Sequence, residues 1–202
     1  MPPVFILPGW LDSGPAHWQS RWEALYGYRR VQQHDWQRPL RGDWMARLED
    51  ELLSNQELST QANSGPQANL AQKPGALLVA HSLGCHLVAA WAAHSRYTHL
   101  VRGALLVAAP DVGREDLPAD LHNWRRPVLQ RLPFPAVCVV SSNDPFGSLE
   151  AGQAYAAAWG ARCVELGPRG HINPEPGLAH PLAGHQFLQP LQQPVVLHVG
   201  ND

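Results

Sequence analysis

Charge is scarce in this chain of 202 residues. Only 16% of the side chains are Asp, Glu, Lys or Arg, and the formal balance is −2, so there is no electrostatic footprint for nucleic acid or for an anionic membrane surface. Cysteine is scarcer still. Cys85, Cys138 and Cys163 are odd in number, unpatterned and set in apolar runs, which indicates neither a disulfide framework nor a zinc site and leads us to expect buried, reduced thiols in a cytoplasmic protein. No apolar run approaches the ~18 residues of a membrane span. The opening MPPVFILPGW lacks the basic region of a signal peptide, and its apolar run is too short for one. Phosphate loops, dinucleotide fingerprints and metal-ligand spacings are missing as well, so neither cofactor nor metal is expected. Internal repeats are not visible. What remains is a small-molecule or protein partner.

Hydrophobic residues make up 45% of the chain, and a single domain of this length buries roughly 70% of its unfolded surface. Short β-rich runs alternate with helical patterns. The runs are VFILP (4–8), RRVQQ (29–33), ALLVA (76–80), GALLVAA (103–109), AVCVVSS (136–142) and RCVEL (162–166). Most are continuously apolar, as strands buried on both faces of a parallel sheet must be. Helices are expected near 17–26, 43–54, 83–95 and 148–159. Such alternation predicts an α/β fold, a three-layer αβα sandwich around a six-stranded parallel sheet, with ligands at the carboxyl ends of the strands.

Three stretches fall outside this pattern. Residues 54–75 are rich in Ser, Asn, Gln, Ala and Gly without an apolar period, and read as a mobile insertion. Residues 110–135 are irregular and long enough only for a small cap. The tail 190–202 contains VVLHV, which offers an edge strand, a pairing surface for another chain, or a disordered end. It leaves oligomeric state open.

The junction AHSLG, 80–84, falls between a predicted strand and a predicted helix. Small residues flank Ser82 at 80 and 84, as a nucleophile elbow requires: the turn presses both positions against neighbouring backbone while the serine oxygen is exposed at the helix head. By itself the pentapeptide fits equally a serine that caps the helix. A serine nucleophile needs a base, and that base needs an orienting acid. SSNDPFG places Asp144 after the fifth predicted strand, and GPRGHINP places His171 after the sixth. Taken singly, Asp144 fits a helix cap or an Asx turn, and His171 is one of eleven histidines. Three suitable residue types in the order Ser, Asp, His, each beyond a different strand, favour catalysis. Asp111, after the fourth strand, is the rival acid. Asp144 is preferred because it lies one step before the histidine loop and Pro145 stiffens its turn.

The first strand ends in LPGW, where Gly9 permits a sharp turn; by itself this stretch fits equally a plain Pro8–Gly9 turn, and the amides of Trp10 and Leu83 are the expected oxyanion hole. Trp10, Leu83, Trp124 and Phe146 are expected to line an apolar substrate pocket. Trp18 and Trp22 share a helix face and read as core. His17 is a core residue or a prop for the oxyanion loop; His81 and His86 read as structural histidines pointing away from the serine oxygen.

PGW, HWQSRWE (17–23), HSLG (81–84), SSNDPF (141–146) and GHIN (170–173) together resemble the small α/β-hydrolase family that includes retinoblastoma-binding protein nine and related bacterial serine hydrolases. The resemblance spans most of the chain, apart from the insertion and the tail. It implies a minimal α/β-hydrolase fold without a large lid and a triad of Ser82, Asp144 and His171. The expected activity is carboxylesterase-like: cleavage of a small-molecule ester, or less readily an amide or thioester, through an acyl-enzyme. The competing reading is a non-catalytic protein-binding module on the same fold.

Overall fold

The computed structural model describes residues 2–62, 75–173 and 184–192. Six parallel strands form one sheet in the order β2-β1-β3-β4-β5-β6, from β1 (Val4–Leu7), β2 (Arg29–Arg30), β3 (Ala76–His81), β4 (Val101–Val107), β5 (Ala136–Val140) and β6 (Arg162–Glu165). Strands β1, β3 and β5 are buried along their whole length, whereas the edge strands β2 and β6 are mostly exposed. This is why the four inner strands read as unbroken apolar runs. It also corrects the expectation for Cys163, which is exposed because β6 is an edge strand among the described residues; Cys85 and Cys138 are buried.

Strand residues alternate between two cores. Phe5, Leu7, Leu78 and Ala80 face the layer formed by α2 (Arg41–Ala62), α3 (Leu83–His94) and α4 (Leu149–Trp159), with Trp44, Leu48, Trp91 and Trp159 among its buried residues. Val4, Ile6, Leu77 and Val79 face α1 (Trp18–Tyr26) through Trp18 and Trp22, joined by Phe187, Leu188 and Leu191. The Trp18 and Trp22 rings meet edge to face at 4.9 Å.

Helix α2 continues to Ala62, so residues 54–62 of the expected insertion are helical. A helix nucleated by the buried Trp44, Leu48 and Leu52 propagates cheaply through exposed residues such as Ser54 and Glu57. Residues 63–74 lie outside the described residues, as do 193–202 with their VVLHV segment; Gln189–Gln192 forms a short helical turn. The irregular 110–135 stretch contains one 3₁₀ helix, Ala119–Trp124. Among the described residues, no helix is long and apolar enough to cross a membrane.

From β1 the chain goes outward to β2 and then returns to β3 on the other side of β1. That reversal opens a crevice beyond the carboxyl ends of β1 and β3. Gly9 and Ser82 follow those two ends.

Candidate active site

Ser82 is the single residue between β3 and α3, with φ 54° and ψ −127°, a conformation that costs a non-glycine residue on the order of 1–3 kcal/mol. Its side chain makes no cap bond to α3, so capping does not explain it. Close approach of backbone does. A Cβ at Gly84 would stand 2.4 Å from the Leu7 carbonyl oxygen, and one at Gly9 would stand 2.6 Å from Ser82 Cβ and 3.0 Å from Ser82 Oγ. Glycine is therefore required at both positions. Leu83 carries the first amide of α3, which has no intrahelical acceptor.

The loops after β5 and β6 bring two side chains to this serine. His171 Nε2 lies 2.9 Å from Ser82 Oγ, and His171 Nδ1 lies 3.0 and 2.8 Å from the two Asp144 oxygens. Both side chains are almost out of solvent, 9% exposed for His171 and 4% for Asp144. The carboxylate fixes the tautomer: Nδ1–H donates to Asp144, leaving the Nε2 lone pair to accept the Ser82 hydroxyl proton. Asp144 also accepts from the Phe146 amide at 2.9 Å, so the expected Asx turn and the histidine contact coexist. Asp111 makes neither contact with His171; it accepts from the Gly113 amide and the Tyr155 hydroxyl.

Polar residues behind these three hold the loops in place. Ser141 Oγ donates to Asn143 Oδ1 and accepts from the Arg169 amide at 2.9 Å, while Asn143 Oδ1 accepts from the Gly170 amide at 2.7 Å. The Asp144 loop and the His171 loop are thus stitched together. On the other side, Gln19 is fully buried and donates to the carbonyls of Leu7 and Val79, while Ser13 donates to its Oε1 at 2.8 Å. Arg30 bonds Asp12, Glu23, Ser20 and the Ser13 carbonyl. Those bonds brace a loop in which Leu11 and Asp12 both have positive φ, just after Trp10. Sequence reasoning passed over Ser141, Asn143, Gln19 and Arg30. The available signal for Ser141, Asn143 and Gln19 was the run of polar residues in SSND and HWQSRWE beside predicted strand and helix ends.

A cavity of about 470 Å³ opens over Ser82 and His171, walled by Trp10, Leu117, Leu121, Pro145 and Phe146, with Asp111, Arg114 and Asp116 also on its lining. Two expected pocket residues are placed elsewhere. Leu83 is buried in the core because the residue that opens α3 turns its side chain toward the sheet. Trp124 is 1% exposed, donates to the Pro39 carbonyl at 2.7 Å and packs edge-on against Trp44; Leu117 and Leu121 of the same segment supply the wall instead.

The histidines also divide. His86 is buried against Tyr155 and Trp159 and bonds the Pro110 carbonyl, a structural role as expected. His81 does not simply turn away from the site: its ring lies 4.9 Å from that of His171, and its Nε2 donates to the His171 carbonyl at 2.9 Å. His17 caps α1, accepting the Gln19 amide at Nδ1, and its ring lies tilted 4.7 Å from that of His81. Burial, then the neighbouring Arg30 and His171 charges, push its pKa down to about 4. Asn173 opposes that shift without completing a hydrogen bond to the buried His17 Nε2. Burial and the same crowding of histidines hold His81 well below 6.5. At neutral pH both rings are uncharged, so neither competes with His171 for the Asp144 carboxylate.

A family model described as Serine hydrolase matches residues 4–60 and 65–189. Among solved structures, a YdeN-like hydrolase of Pectobacterium atrosepticum is similar at 25% identity, with a TM-score of 0.69, covering 95% of this chain and 92% of that one. The ydeN gene product of Bacillus subtilis is 18% identical, TM-score 0.58, with 86% and 89% covered. A protein of Mycobacterium tuberculosis described as the non-heme bromoperoxidase BpoC shares the fold at 13% identity, TM-score 0.65, with 96% and 94% covered. No curated protein matches, so the narrower resemblance to retinoblastoma-binding protein nine gains no support.

Proposed function

The chain belongs to the serine hydrolase family, and from that premise we propose that it hydrolyses small carboxylic esters through an acyl-enzyme formed on Ser82. The observation that carries this reading is the unbroken chain of contacts Ser82 Oγ, His171 Nε2, His171 Nδ1 and Asp144, at 2.9 and 2.8 Å. Ser82 Oγ attacks the ester carbonyl while His171 Nε2 takes its proton; the imidazolium is stabilised by Asp144. The amides of Trp10 and Leu83 receive the oxyanion. His171 then returns the proton to the leaving alcohol, and the acyl group stays on Ser82. Water, deprotonated by the same nitrogen, attacks that ester, releases the acid and restores the serine.

The pocket supports a short or medium acyl chain. Its wall is largely apolar, with Leu117, Leu121 and Phe146 beside the charged Asp111, Arg114 and Asp116, and the 110–135 segment contributes one 3₁₀ helix rather than an enclosing lid. A purely protein-binding role would leave the strained backbone at Ser82 and the fixed tautomer of His171 without a use.

Labelling with a fluorophosphonate probe tests the nucleophile. Wild type should label and Ser82→Ala should not, with unchanged circular dichroism because the hydroxyl makes no core contact. Labelling that survives in Ser82→Ala refutes the assignment. A series of p-nitrophenyl esters then tests the pocket; a clear preference for long chains over acetyl or butyryl would refute the open site.

A further inference from the structure

The turn that carries His171 is strained at the next residue. Ile172 has φ 52° and is fully buried, and a β-branched side chain keeps that left-handed conformation only where its surroundings over-determine it. Two ring N–H groups meet the two carbonyls of this turn. His81 Nε2 is 2.9 Å from the His171 oxygen, and Trp18 Nε1 is 3.0 Å from the Ile172 oxygen. A carbonyl only accepts, so His81 carries its proton on Nε2. Behind both rings lies His17, 4.7 Å from His81 and 5.4 Å from Trp18, itself fixed as the cap of α1. The donors come from β3 and α1, two elements remote in sequence from the loop they hold.

We propose that His81 and Trp18 are positioning residues, which hold the strained His171–Ile172 turn by its carbonyls and so keep the His171 ring between Ser82 and Asp144. The proposal rests on the catalytic reading above. Ser141 and Asn143 fix the approach to the turn at Arg169 and Gly170, but they leave its two carbonyls untouched. Without the ring donors Ile172 relaxes toward negative φ, and the imidazole moves with it. Displacement of a proton-transfer group by about 1 Å costs on the order of 10² in rate.

The test compares His81→Phe, which keeps a ring but loses the donor, with His81→Gln, whose amide nitrogen reaches the position of Nε2. Trp18→Phe removes the indole N–H together with part of a buried ring and lies away from the elbow, so its kcat and its His171 resonance, read on folded protein, decide the matter should His81→Phe fail to fold. On a p-nitrophenyl ester His81→Phe should lose about 30- to 100-fold in kcat with KM within about threefold, and Trp18→Phe about tenfold in kcat. His81→Gln should recover to within about fivefold of wild type. A second readout needs no turnover: the low-field proton resonance of His171 Nδ1–H, bonded to Asp144, should be sharp in wild type and His81→Gln and lost or broadened in the two Phe variants. Phe variants with wild-type kcat and resonance, or a Gln variant no better than Phe, overturn the proposal. If wild type shows no Ser82-dependent turnover, the catalytic reading falls, and the resonance alone upholds or overturns the clamp.

Discussion

Asp111 follows β4 as Asp144 follows β5; each adjoins a proline, and each turns its Oδ1 onto the amide two residues ahead, Gly113 and Phe146, both at 2.9 Å. What differs is the neighbour opposite. β6 pairs with β5, so the His171 loop descends beside Asp144, and stitching by Ser141 and Asn143 presses the imidazole onto that carboxylate. Asp111 meets the Tyr155 hydroxyl at 3.3 Å, and its amide donates to the Phe146 carbonyl at 2.8 Å, so the segment after β4 leans on the Asp144 loop rather than reaching the histidine. Tyr155 registers the contact: burial, reinforced by the Asp111 charge, pushes its pKa up to about 12. An Asx turn thus says only that an aspartate closes a loop. Its chemistry depends on which loop comes next in the sheet.

The sharpest way to break this comparison is to neutralise each acid in turn. Asp144→Asn should favour the wrong His171 tautomer and lower kcat/KM about 10⁴-fold, the scale of that loss in serine proteases. Next in size is the elbow's partner: Gly9→Ala places a Cβ 2.6 Å from Ser82 Cβ, and should cost roughly 10²- to 10³-fold in kcat by displacing the serine or the Trp10 amide. Asp111→Asn should stay within about tenfold of wild type, since Asp111 lines the cavity and bonds Gly113 and Tyr155 rather than His171. Ester kinetics on the three variants check all of this; a large loss at 111 with a small one at 144 would exchange their roles.

The smallest effect concerns the buried histidines His17 and His86. Folding holds His17 and His86 to a pKa of about 4, chiefly by burial, against an ordinary 6.5. Their folded forms bind fewer protons than the unfolded chain across that window. The stability they contribute is therefore complete above about pH 6.5 and falls as pH drops toward 4. Melting temperature should decline from pH 7 to pH 5, and His86→Gln should flatten the decline. A pH-independent melting temperature would contradict the burial of these rings as neutral species.

Much of the scaffold was legible because its physics is local. Inner parallel strands are wetted on neither face and read as apolar runs, and the elbow needs small residues at 80 and 84 wherever the rest of the chain goes. The order Ser82, Asp144, His171 could be read because each follows a strand, and the strand ends share one side of the sheet. Two of the misread residues depend on distant partners. Trp124 is drawn into the core by the Pro39 carbonyl, 85 positions away, and by Trp44. The reach of His81 to the His171 carbonyl spans 90 positions. Residues 54–62 were misread for another reason: a helix already paid for upstream needs no apolar period to continue.

Acid-quenched peptide mapping during steady-state turnover of p-nitrophenyl acetate asks directly whether Ser82 is acylated. An acetyl group on the Ser82 peptide that forms within the first turnover and disappears on removal of substrate, and that is formed far more slowly in Asp144→Asn than in Asp111→Asn, is the expected result. Turnover with no acyl group on Ser82, or an acyl group resident on another side chain, would contradict it.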